Sequence, residues 1–86
     1  MAYKDNAMRA YRVNLNLNVD QMERFYGGGV RNVWARDVNG LRLQFPVASL
    51  RPFVSHAGVR GHFELLVDKD ARLQSIRRIS ENYLLP

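Results

Sequence analysis

The sequence predicts an α+β fold, mainly β: a five-stranded antiparallel curled sheet or small partly open barrel, in the order strand, helix, strand, strand, short helix, strand, strand. Three observations predict it. Val13, Leu15, Leu17 and Val19 alternate with Asn14, Asn16 and Asn18; Asn39-Gly40 separates two apolar-patterned runs; and Val59, Phe63, Leu65 and Val67 alternate ahead of Asp68-Lys69-Asp70-Ala71. A period of two sends successive side chains to opposite faces of a strand. A chain of 86 residues, 47% of them hydrophobic, suits one globular domain but not two full layers, so curling the sheet limits its open edges. The domain is expected over residues 10–80, between tails at 1–9 and 81–86.

The first strand rests on the Val13–Val19 alternation, which outweighs the poor strand propensity of asparagine. The period then changes. Asp20 and Glu23 have the spacing of a capping box, and Met22, Phe25 and Tyr26 form one helical face. Gly27-Gly28-Gly29 stops this helix of about two turns, because glycine accepts a C-cap conformation without steric cost.

Asn39-Gly40 predicts a two-residue type I′ turn. That loop would set Arg36 opposite Leu43, Trp34 opposite Phe45 and Asp37 opposite Arg42. Trp34 and Phe45 would then share the core face. Pro46 is expected to open a short helical turn through Arg51, and Pro52 to close it. In the second hairpin the turn is Asp68-Lys69-Asp70-Ala71. Ile76 is out of phase with Leu73 and Ile79, which leaves that register open.

Composition excludes several functions. The chain has no cysteine, hence no disulfide, thiolate metal site or cysteine nucleophile. His56 and His62 are the two histidines, and their spacing of six matches neither a metal site nor a triad. An imidazole in a loop or on the surface is the plainer account of each. Asp68 and Asp70 lie in one turn with too few oxygen ligands for calcium. Gly27-Gly28-Gly29 follows a helix instead of leading into one, so it is not a phosphate loop. No catalytic residue, metal or cofactor is expected. The opening residues lack the apolar run of a signal peptide, and no apolar stretch approaches the ~20 residues that span a bilayer. A cytoplasmic protein with no membrane partner is the expectation.

Arginine is the compositional signal. Apart from Lys4 and Lys69, all of the 13 basic residues are arginine, and the net charge is +5. The guanidinium fork recognises phosphates and carboxylates, although a positive charge spread over a small surface also serves solubility. Alternation places Arg60 and His62 on the face away from Phe63 and Leu65, and Arg42 away from Leu43. Arg77-Arg78 straddle both faces of the last strand. The candidate binding residues are Arg42, Arg51, Arg60, His62 and Arg78. Trp34 and Phe45 read as core instead of a stacking platform.

Leu50-Arg51-Pro52-Phe53, then Gly58-Val59-x-Gly61-x-Phe63, and finally Leu73-Gln74-Ser75-Ile76-x-Arg78-Ile79 resemble a family of small bacterial proteins, the domain of unknown function 2835. The likeness runs from about Tyr11 to Ile79 and implies no assigned activity. Ser55-His56-Ala57-Gly58-Val59 is similar to part of the signature of PilZ domains, barrels that bind a cyclic dinucleotide. The acidic residue of that signature is replaced by Phe53, and its pair of arginines four apart is missing.

The expected function is therefore that of a small basic non-enzymatic binding module for protein interaction or assembly, including a homodimer through strand-edge pairing. The alternative is nucleic-acid binding through an arginine-rich surface. Cyclic-dinucleotide binding ranks third.

Overall fold

In the computed structural model, which describes residues 8–82, the chain forms β1 (Arg9–Leu17), α1 (Val19–Gly27), β2 (Asn32–Arg36), β3 (Arg42–Pro46), a 3-10 helix (Val47–Phe53), β4 (Val59–Val67) and β5 (Leu73–Ser80). The predicted order of elements is observed. The expected tails at 1–9 and 81–86 lie mostly outside the described residues, and Arg9 already belongs to β1.

Five antiparallel strands are present, but they form two sheets instead of one: β1-β4-β5 and the hairpin β2-β3. The strands do not close into a barrel. A single bridge, Val13 with Asp37, joins the sheets, reinforced by the Val38 amide donating to the Arg12 carbonyl at 2.8 Å. β1 pairs with β4 from Arg9 opposite Val67 to Leu17 opposite Val59.

The β2–β3 register differs by one residue from expectation. Arg36 stands opposite Arg42, Ala35 opposite Leu43, Trp34 opposite Gln44 and Val33 opposite Phe45. The cause is Asp37. Its carboxylate accepts the amides of Asn39 (3.0 Å) and Leu41 (2.6 Å), while the Gly40 amide donates to the Asp37 carbonyl. This makes a three-residue loop, Val38-Asn39-Gly40, in which Gly40 alone takes a positive φ, +87°. A one-residue slip exchanges the faces of a strand. Phe45 is buried as expected, but Trp34 is turned outward, 54% exposed.

The β4–β5 turn has the same design. Asp68 accepts the amides of Asp70 and Arg72, and the Ala71 amide donates to the Asp68 carbonyl. Two register shifts follow along the pair, at Leu66/Val67 and at His62/Phe63. Each bulge reverses the side-chain alternation of β5, which explains why Leu73, Ile76 and Ile79 are out of phase.

The cap of α1 lies two residues before the expected one. Asn18 and Gln21 form the capping box, each side chain accepting the other's backbone amide at 2.8 Å, instead of Asp20 and Glu23. At the other end the Gly28 amide donates to the Arg24 carbonyl. Pro46 caps the 3-10 helix from outside, and Pro52 lies within it.

The core takes Val13 and Leu15 from β1, Val59, Phe63 and Leu65 from β4, Val33 and Phe45 from the hairpin, Val47 and Leu50 from the 3-10 helix, and Met22 from α1. Phe53 meets Phe63 edge-on, with ring centroids 5.1 Å apart. No helix among the described residues is long and apolar enough to cross a membrane.

Candidate functional site

Between the β2–β3 hairpin and the end of the three-stranded sheet lies a groove of about 620 Å³, within the ~300–1,000 Å³ range of ligand sites. Its floor is apolar: Leu43, Leu65, Val67 and Leu73 line it. Its rim is cationic and aromatic, with Arg9 and Tyr11 from β1, Trp34 and Arg42 from the hairpin, and Lys69 from the β4–β5 turn. Asp68 is the one acid among the described residues that line it. Its carboxylate accepts two backbone amides of its own turn and the side-chain amide of Gln74. These bonds, with the nearby Arg72 charge, hold its pKa below the usual carboxylate value, so it stays ionised and engaged. No carboxylate lies within ion-pair distance of Arg9, Arg42 or Lys69 among the described residues.

The outer face of the hairpin explains how Trp34 and Arg42 meet. Trp34 is opposite Gln44, so Arg42, two residues from Gln44, is its diagonal neighbour on the same face. The Arg42 guanidinium lies 4.3 Å from the centre of the indole ring. Arg36, directly opposite Arg42, donates to the Gly40 carbonyl at 3.1 Å. Two facing arginines destabilise a bare hairpin. This pair concentrates positive charge beside an exposed aromatic plane.

The five residues expected to bind are not gathered at one place. Arg42 lines the groove. Arg51, in the last turn of the 3-10 helix, has its guanidinium 5.2 Å from the centre of the Tyr26 ring, and Tyr26 donates to the Val47 carbonyl. Arg60 and Arg78 are neighbours across β4 and β5, where Arg78 donates to the Arg60 carbonyl at 3.4 Å and its stem covers Gly61.

His62 is fully buried instead of surface-exposed. It lies on the face away from Phe63, as alternation required, but that face is covered there. Its Nδ1 contacts Asn14 Oδ1, its cross-strand partner, and its Nε2 has no hydrogen-bond partner. Burial, with the Arg12 charge as the lesser cause, lowers its pKa, which favours the neutral ring. Nearby on the same face, Glu64 pairs with Arg77 at 3.0 Å and with Arg12 at 4.0 Å. Those guanidiniums are held in an ion-pair network.

Ser55 is occupied as well. Its hydroxyl donates to the Gly58 carbonyl and accepts the Ala57 amide, within a turn closed by two backbone bonds between Ser55 and Gly58. Gly58 has a φ of +99°, and a Cβ there would collide with the Leu17 carbonyl. The Ser-x-x-Gly spacing is thus explained by a tight turn against the end of β1.

Sequence reading missed Trp34, Arg9, Tyr11 and Lys69. The available signal was Asp37-x-x-Gly40, which marks a loop one residue longer than Asn-Gly alone and turns Trp34 outward. Residues 9–79, from the first residue of β1 to the penultimate one of β5, match the family described as a protein of unknown function (DUF2835). No curated protein and no solved structure matches the chain.

Proposed function

We propose, for a chain that belongs to the DUF2835 family of proteins of unknown function, a non-enzymatic role in the cytoplasm: binding nucleic acid along the groove between the β2–β3 hairpin and the three-stranded sheet. The supporting observation is the rim of Arg9, Arg42 and Lys69, where the one acid among the described lining residues, Asp68, is engaged by its own turn. Three cations that have no carboxylate partner among the described residues, along one groove, attract a polyanion and gain by releasing its counterions. The facing Arg36–Arg42 pair fits the same role, because a bound phosphate relieves its repulsion.

Assembly through a strand edge has weaker support. β5, an edge of the three-stranded sheet, carries two bulges and the Arg77-Arg78 pair, and β3, in the two-stranded sheet, ends in Pro46. Bulges, charges and proline are the devices that blunt edges.

Filter binding of labelled DNA and RNA oligonucleotides tests the role. Affinity is expected to fall steeply with salt, and the double reversal of Arg42 and Lys69 to Glu to abolish binding. Absence of binding to every oligonucleotide at low salt would remove the proposal.

A further inference from the structure

Building on that nucleic-acid role, we infer that the groove selects single strands, with an unpaired base added to the Trp34–Arg42 stack and its backbone phosphates on Arg9 and Lys69.

Charge alone would serve a duplex equally well, so the discriminating features are the apolar and aromatic ones. A duplex hides the faces of its bases and presents phosphates, for which an apolar floor of Leu43, Leu65, Val67 and Leu73 is of no use. A single strand has base faces to bury. Trp34 is 54% exposed and Leu41 48%, large areas for side chains that contribute nothing to the core. The Arg42 guanidinium already sits over the indole, 4.3 Å from its centre. Guanidinium planes and aromatic rings are the two surfaces on which proteins stack unpaired bases. Both occur here as one stack, the guanidinium over the indole, on a hairpin face with no other partner among the described residues. The surrounding charge is positive, which favours a phosphate-linked chain over an apolar peptide.

Trp34 is the one tryptophan in the chain, so its fluorescence reports the groove directly. The experiment titrates the full-length protein with oligodeoxythymidine, with oligouridine and with a blunt duplex of equal length, and repeats the titrations by anisotropy for Trp34→Ala and Trp34→Phe. Single strands are expected to quench Trp34 and to bind at least about tenfold more tightly than the duplex, since one stacked base accounts for a factor of that order. Trp34→Ala should lose about tenfold or more in single-strand affinity, and Trp34→Phe much less. Both variants should fold, because the side chain lies outside the core. Poly-L-glutamate, matched in charge, should compete poorly.

Equal affinity for the duplex, an unchanged Trp34→Ala, or full competition by poly-L-glutamate would each overturn single-strand stacking and leave the polyanion groove standing. Failure of all oligonucleotides to bind at low salt would overturn the nucleic-acid role itself.

Discussion

Gly40 and Ala71 occupy the same left-handed position in two hairpin loops of one design. In each loop an aspartate, Asp37 or Asp68, accepts the amides two and four residues ahead, and the left-handed residue donates to the aspartate's own carbonyl. Their φ values are +87° and +63°. The left-handed region costs an L-residue with a Cβ about 1–2 kcal/mol, partly offset by the greater unfolded-state entropy of glycine. Ala71→Gly is therefore expected to stabilise the protein by about 0.5–1 kcal/mol, and Gly40→Ala to destabilise it by a similar amount. A Cβ at Gly40 meets no atom within 4 Å, so no steric clash adds to this backbone effect. Urea denaturation of both variants checks the pair; equal signs would refute the shared design.

Asp37 holds the hairpin register. Its buried carboxylate serves two loop amides, and the Val13 bridge joins the two sheets at this residue. Hydrogen bonds to a charged group contribute about 1.5–3 kcal/mol. Asp37→Ala should lose stability of about that size and bring Trp34 into a less polar setting, because the loop is then free to shorten to the Asn39-Gly40 turn. A fall in denaturation midpoint together with a blue-shifted Trp34 emission is the expected result.

Arg36 and Arg42 face each other with like charge. Arg36→Glu converts the repulsion into attraction and should raise stability by a few tenths of a kcal/mol. The same change should weaken oligonucleotide binding and reduce the magnitude of its salt slope by about 0.7, the value of one lost phosphate contact on a single strand. Stability and affinity moving in opposite directions would mark the pair as kept for binding. Movement of both in the same direction would count against that role.

Acid should weaken the fold in two stages. Burial depresses the pKa of His62 below the ordinary 6.5, so the unfolded chain takes up a proton first. The stability held above pH 6.5 is lost as pH falls through the folded value. The turn amides and Arg72 depress Asp68 below the ordinary 3.8. Its contribution is complete above that value and disappears as pH falls through the lower folded one. Thermal melts from pH 8 to pH 3 should show both declines. His62→Gln should remove the first and Asp68→Asn the second, each leaving the other in place.

The number, order and type of the elements were set locally. The Val13–Leu17 and Val59–Val67 alternations, the Met22-Phe25-Tyr26 face and the turn residues around 39 and 68 each carry a period or a punctuation readable within a few neighbours. Which side of the hairpin met the core was decided by hydrogen bonds from one carboxylate, Asp37, and this reversed the expected place of Trp34. Burial of His62 depended on what lies across the sheet from it, which alternation within β4 does not contain. The groove brings Arg9 beside Trp34, Arg42 and Lys69. Residues that far apart along the chain become neighbours only through strand pairing and the packing of two sheets, so no local pattern could have announced them.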